Sequence, residues 1–295
     1  MVLKEKIEKN EKIEKENYFG DINSLEKKAN YIRKQVLDMC VNAGTGHVTS
    51  SFSCAEILVA LYYGGILKYD PRNPDWNKRD RLVLSKGQAS VILYPILADL
   101  GFFSEKELDH FNQEDGIFGV HLQYDVPGVE LTVGSLGQGF GVAAGMALAA
   151  KLNRQRHMVV TILGDGELYE GSMWETAMFA SHYRLNNLFA IVDRNWMCAT
   201  EFTEDTVELN PIDEKFLSFG WEVINIDGHS FEEILESFKG FRSKKSTKPL
   251  VIIADTIKGK GSECLCWEPL WHGIAPKGTD ADTAKSQLSC KEGDF

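Results

Sequence analysis

The chain has 295 residues, with 43 acidic against 32 basic side chains and a formal net charge of −11 at pH 7. Apolar residues make up 43% and charged residues 25%, the balance of an ordinary globular chain with one large or two small domains, so wholesale disorder is excluded. An acidic pI near 5.2 and the absence of a dense Lys/Arg stripe speak against nucleic acid and against an anionic membrane surface, since both demand clustered positive charge.

Residues 1–17 alternate Lys and Glu around Leu3, Ile7 and Ile13, the pattern of a solvated extension. From Ile22, apolar residues at Leu25, Ala29, Ile32, Val36 and Met39 recur at helical spacing, so an amphipathic helix is expected to about Cys40. A second helix is expected over AEILVALYY, with Ser53 as its cap and Glu56 three residues later. Five short apolar runs follow: 81–84, 158–163, 188–193, 221–227 and 250–255. They are nearly continuous in apolar residues, as strands covered on both faces read. The fold class expected is α/β, a doubly wound, mostly parallel sheet flanked by helices. One domain is expected over 21–280, after a charged extension (1–20) and before a tail (281–295).

Leu131 to Ala150 carries no charge, but its Gly-rich first half leaves too few helical apolar residues to cross a bilayer, so a buried helix entered from a loop is expected. Six cysteines, Cys40, Cys54, Cys198, Cys264, Cys266 and Cys290, with no apolar signal segment ahead of them, point to a reducing, cytoplasmic setting. Cys264 and Cys266 form C-x-C without two further ligands at zinc spacing.

In a doubly wound sheet, ligands bind beyond the carboxyl ends of the strands. The loop ILGDGELYEG (162–171) puts Asp165 between Gly164 and Gly166 just before a helix. A carboxylate there would repel a phosphate unless a hard cation stood between them. The loop VDRNWM (192–197) places Asn195 thirty positions later, where its amide oxygen can complete such a cation's shell; Met197 can offer only its carbonyl. The turn VGSLGQGFGVAAG (133–145) lacks the strand and the acidic partner of a dinucleotide fingerprint, and no G-x-x-x-x-G-K-[ST] exists. Finally, His47 in GTGHVTS, His121 in GVHLQYDVPG and His272 in EPLWHGIAP each sit by Gly-rich turns. Imidazoles titrate near neutrality, so three converging ones would make a polar, proton-competent pocket.

GDG with an Asn thirty residues on resembles the thiamine diphosphate signature. The blocks GTGHVTSSFSCAEILVALYY, RDRLVLSKGQAS, HLQYDVPGVELTVGSLGQG, GDGELYEGSMWE, VDRN and IKGKG…WHG resemble transketolase, in family order, from about Asp21 to Pro276. The chain is less than half of a full-length transketolase and resembles the N-terminal, diphosphate-binding subunit of a split one.

The resemblance implies that Asp165, Asn195 and the Met197 carbonyl hold Mg²⁺ (or Ca²⁺ or Mn²⁺). It implies that the Gly166 N–H and His272 meet the cofactor diphosphate and that Gly134 and Leu136 lie against the aminopyrimidine. His47, His121 and His272 would face the sugar as catalytic residues, and Glu170 would couple two cofactor sites at an interface. The activity implied is two-carbon ketol transfer from an anionic ketose, phosphorylated or sulfonated, to an aldose. A partner, the C-terminal subunit, would supply the pyrimidine-binding domain and the catalytic glutamate in a dimer of heterodimers. Gln88 stands where the family usually has histidine, and GHVTSS replaces Gly-His-Pro-Gly; both put the ordinary sugar substrates in doubt. A component of another thiamine diphosphate enzyme, of synthase or 2-oxo-acid dehydrogenase type, and a non-catalytic cofactor-binding subunit remain the alternatives.

Overall fold

The computed structural model describes residues 21–199, 201–243 and 246–290. The Lys/Glu-rich extension expected at 1–20 and the residues 291–295 of the expected tail lie outside the described residues. In chain order the strands are β1 (Arg81–Leu84), β2 (Val159–Gly164), β3 (Leu188–Arg194), β4 (Met197–Cys198), β5 (Glu201–Phe202), β6 (Glu222–Asp227) and β7 (Leu250–Asp255). The pair β4 and β5 is a small antiparallel hairpin; the other five strands form one sheet in the order β1, β2, β3, β7, β6, with every neighbouring pair parallel.

The unbroken apolar runs are explained by two cores, one on each face. Alternation along a strand sends Val160 and Ile162 of β2, Phe189 and Ile191 of β3, and Leu250 and Ile252 of β7 to one face. Val159, Leu163, Ala190, Val192, Val251 and Ile253 go to the other. Helices Ile22–Ala43, Ala55–Tyr63, Ser90–Asp99 and Phe231–Ser243 cover the first face. Gly139–Leu152, Gly171–His182 and Ile212–Ser218 cover the second. β6, at the edge, is the least buried strand of the sheet. No helix among the described residues is long and apolar enough to cross a membrane.

Local chemistry ends the first helix where the site needs it to end. Gly44 adopts φ +69°, a left-handed cap that lets its N–H reach Val41 O and the Thr45 N–H reach Cys40 O, both at 3.2 Å. The chain then turns toward His47. The expected cap of the second helix is corrected: the helix begins at Ala55 with Cys54 as its cap. The Ser53 hydroxyl is spent elsewhere, donating to Asp193 Oδ2 at 2.7 Å. Nor does Glu56 close a capping box. It receives Arg33 through two bonds of 2.7 Å, and His229 Nδ1 lies 2.9 Å away. At the C-terminal end, residues set apart as a tail from 281 instead form most of the helix Thr279–Cys290, which buries Ala281, Ala284 and Leu288.

The Arg33–Glu56–His229 cluster ties the helices Ile22–Ala43 and Ala55–Tyr63 to the loop after β6. Burial opposes ionisation of Glu56, but Arg33 and His229 outweigh it and hold the carboxyl down at about 2. A carboxyl lowered on folding contributes stability that is present above its unfolded pKa and lost as pH falls through the folded one. Glu56→Gln is therefore expected to flatten the acid limb of the stability curve between about pH 4.5 and 2, read by urea unfolding at a series of pH values. An unchanged slope would show that the pair carries no pH-linked stability.

Candidate active site at the carboxyl ends of the strands

Parallel pairing continues past the strand ends and sets the site residues side by side. Gly164 of β2 is in register with Asp193 of β3, and Arg194 with Asp255 of β7. Beyond these pairs, Lys86 N–H donates to Ile162 O at 3.1 Å, Asp165 N–H to Asp193 O at 3.3 Å and Thr256 N–H to Arg194 O at 3.0 Å. Lys86, Asp165, Asn195 and Thr256 thus leave four adjacent strands along one edge. The Asp165 loop meets the Asn195 loop through the Asp165 carboxylate, which accepts from Arg194 and from the Trp196 N–H, while no direct bond joins the Asp165 and Asn195 side chains among the described residues.

Asp165 is 1% exposed. Its Oδ1 accepts from Gly166 N–H at 2.8 Å, and its Oδ2 accepts from Trp196 N–H at 2.6 Å and from Arg194 Nη1 at 3.2 Å. Trp196 sits at φ +67°, an uncommon backbone for a bulky residue, and this turn aims its N–H at the carboxylate. Burial first, then Asp193, push Asp165 up to about 6 against the pull of Arg194 and Lys86. Asn195 Oδ1 accepts from Met197 N–H at 3.2 Å, and both residues are 4% exposed. The protein only partly compensates the buried carboxylate, and a divalent cation held by carboxylate, amide and carbonyl oxygens would complete the compensation. Among the described residues no three of His, Cys, Asp and Glu group as a metal site, so a cation here relies on that mixed oxygen set.

The Gly166 N–H, which the resemblance offers to a diphosphate, is held by Asp165 in this structure. A Cβ at Gly166 would come within 3.1 Å of Cys198 Cβ and Sγ, so a side chain there would press on Cys198 and displace it by a few tenths of an ångström. Gly87, beside Gln88, packs so closely on Gly134 that a Cβ would stand 3.1 Å from Gly134 N and 3.2 Å from His121 Cδ2. That contact joins the Gln88 turn to the Gly134 loop. Leu136 is half-buried, whereas Glu170 is exposed at the start of helix Gly171–His182.

The three histidines meet. His47 lies edge-on to His121 and His272, with ring centroids 5.7 and 5.2 Å apart. Their expected titration near neutrality is corrected. Burial, then His121 and the ammonium groups of Lys258 and Lys86, lower His47 to about 4. Burial, then Lys258, His47 and Lys86, lower His272 to about 4 as well, and burial lowers His121. All three are neutral hydrogen-bonding rings at neutral pH. The Nδ1 of His47 is buried without a partner among the described residues.

Four further residues shape this edge, and residue patterns alone left them unassigned. Lys86 and Asp193 form a buried ion pair, with Asp193 also accepting from Ser53 and Thr256 and Lys86 donating to Ser50 O at 3.1 Å. Glu167, 1% exposed, accepts from Ser85 Oγ at 2.6 Å, Gly137 N–H at 2.9 Å and Gly164 N–H at 3.1 Å, knitting three site loops together. Lys258, 2% exposed, is lowered to about 8 by burial and then by Lys86. The signal for all of these was position, each lying within a few residues of a strand's carboxyl end.

The family model for the transketolase thiamine diphosphate-binding domain matches residues 24–295. The 6-deoxy-6-sulfo-D-fructose transketolase subunit SqwG of Clostridium sp. is 43% identical over 239 residues, 81% of this chain and 86% of that protein. An apulose-4-phosphate transketolase subunit from Phocaeicola vulgatus is 34% identical over 268 residues, 91% of this chain and 95% of that protein. Among solved structures, transketolase from Campylobacter jejuni superposes with a TM-score of 0.85 at 34% identity, covering 91% of this chain but 43% of the transketolase. The chain thus spans nearly the whole of the subunit relatives and less than half of a full-length transketolase. It belongs to the transketolase family and carries the family's thiamine diphosphate-binding domain.

Proposed function

We propose that this chain is the diphosphate-binding half of a transketolase that moves a two-carbon ketol unit from an anionic ketose, phosphorylated or sulfonated, to an aldose. The observation that carries the reading is the placement of Asp165 and Asn195 on adjacent strand ends around a tight glycine turn, in a chain that spans nearly all of two relatives named as transketolase subunits. Those names do not favour a synthase or dehydrogenase component. Thiamine diphosphate, when bound, supplies the nucleophilic carbon and the electron sink. Asp165, Asn195 and the Met197 carbonyl hold the divalent cation, Mg²⁺ or in its place Ca²⁺ or Mn²⁺. Lys86 and Lys258 supply positive charge beside it. Gly166 keeps the turn open to close approach, and its N–H changes partner from Asp165 if it binds the diphosphate. Gly134 and Leu136 line the pyrimidine side, with Gln88 next to them as a neutral donor. His47, His121 and His272, being neutral, orient the sugar through hydrogen bonds without adding charge.

The catalytic glutamate comes from the partner polypeptide in this reading, and the assembly is a dimer of heterodimers. Surface chemistry supports a covering partner. Helix Gly139–Leu152 carries no charge before Lys151, yet Gly141, Val142, Gly145, Ala149 and Leu152 are exposed, beside Met178, Phe179 and Tyr183 of the neighbouring helix region. A helix apolar on every side is ordinarily buried, and Glu170 stands exposed at the start of the second helix. Cys40, Cys54, Cys198, Cys264 and Cys266 are free thiols, in keeping with a cytoplasmic setting.

The test is reconstitution with a polypeptide supplying the pyrimidine-binding half. Phosphorylated and sulfonated ketoses are offered as donors, with 2-oxo acids as controls. Ketol transfer by the complex and none by the chain alone is expected. Transfer by the chain alone, or decarboxylation of 2-oxo acids without ketol transfer, would overturn the reading.

A further inference from the structure

We infer that Lys258 is a positioning residue for His272: its ammonium donates to Nδ1 of the imidazole, holds the ring as the Nε2–H tautomer, and so fixes a hydrogen-bond donor on the side of the ring away from Lys258. The inference rests on the reading above, in which His272 faces sugar or diphosphate, and deepens it by naming what orients that histidine.

The geometry leaves little choice. Lys258 Nζ lies 3.3 Å from His272 Nδ1 and 3.1 Å from Ala199 O. The lysine itself is pinned by its loop, with Trp267 N–H donating to Lys258 O at 3.1 Å and the next residue, Gly259, donating to Thr49 O at 3.1 Å. An ammonium has three donors and no acceptor, and at 2% exposure a donor without a partner is costly. An Nδ1–H tautomer would set an N–H against the ammonium. Turning the ring over would present a C–H instead of a lone pair. Only the Nε2–H form, with its Nδ1 lone pair toward Nζ, gives the ammonium a second acceptor beside Ala199 O.

His272 is half-buried, and its other ring nitrogen, Nε2, lies on the side of the ring away from Lys258. The neighbouring His47 ring packs edge-on at 5.2 Å, and a Cβ at Gly273 would stand 3.2 Å from His47 Nε2, which crowds any large movement of the pair. Burial and the nearby Lys258, His47 and Lys86 keep His272 neutral near pH 7, so the tautomer decides what this ring can donate and where.

The full chain, labelled with ¹⁵N at histidine and free of cofactor, is measured by long-range ¹H–¹⁵N correlation at neutral pH, with His272 assigned through the signal missing from His272→Gln. One pyrrole-type Nε2 and one pyridine-type Nδ1 are expected for His272. Lys258→Met is expected to collapse the separation between the two nitrogen shifts toward an averaged or reversed pattern, and Lys258→Arg to retain it. A wild-type His272 found as the Nδ1–H form, as an even mixture or as imidazolium would overturn the inference. A folded Lys258→Met with the wild-type pattern would do the same. If Lys258→Met does not fold, the wild-type and Lys258→Arg spectra decide. The spectra are recorded without thiamine diphosphate, so their outcome is separate from cofactor stabilisation, which tests the functional reading itself.

Discussion

Lys86→Met is expected to destabilise the cofactor-free chain by about 3–5 kcal/mol, the usual cost of leaving one partner of a buried ion pair behind. Asp193 is fully buried. Burial opposes its charge, but Lys86, with hydrogen bonds from Lys86, Thr256 and Ser53, holds its carboxyl below the usual range. Without the ammonium only the two hydroxyls remain. The sign with pH follows from the lowered carboxyl: its stability is present above the unfolded value near 4 and is lost as pH falls through the folded one. The damage in Lys86→Met is therefore largest near neutrality and shrinks in acid. Urea unfolding checks this through a lower midpoint at unchanged slope. Adding Asp193→Asn to Lys86→Met is expected to restore part of the loss, since the stranded charge is gone. A loss below about 1 kcal/mol, the range of an exposed pair, would show that the pair does not hold the strand ends together.

Much of the architecture was readable because strands buried on both faces leave a strong mark. The run 250–255 coincides with β7, and the other runs match their strands or differ by a residue or so at an end. The site was readable where a single loop carries an unusual residue, as with Asp165 between two glycines. Long-range pairing was not. Ser53 looks like a helix cap in its own neighbourhood, yet its hydroxyl serves Asp193, 140 positions away. Lys86 meets Asp193 across 107 positions, and no local pattern announces such a pair. The helix Thr279–Cys290 escaped notice because its buried face is made of small residues, Ala281 and Ala284, with Leu288 as the one large apolar side chain. The neutral state of the histidines needed the fold as well, because burial and the proximity of Lys86 and Lys258 set it.

The second large effect concerns the cation. Asp165→Asn keeps the shape and one acceptor oxygen but removes the charge that a hard divalent ion requires. The cofactor-free variant is expected to fold with reduced stability: its NH2 meets an N–H that the carboxylate had accepted, but burial already penalises the charged form of Asp165 and Arg194 keeps Glu204 as a partner. Its response to ligand is expected to vanish. Wild type saturated with thiamine diphosphate and Mg²⁺ at about 100 times the dissociation constant gains about 2.7 kcal/mol, on the order of 4–5 °C in Tm for a chain of this length.

The most direct measurement is thermal unfolding of wild type and Asp165→Asn side by side, with thiamine diphosphate plus Mg²⁺ and again after chelation by EDTA. Wild type is expected to show a rise that EDTA removes, and the variant no rise. Equal stabilisation of both proteins, or a wild-type rise indifferent to EDTA, would contradict the claim that Asp165 anchors the cofactor through a divalent cation.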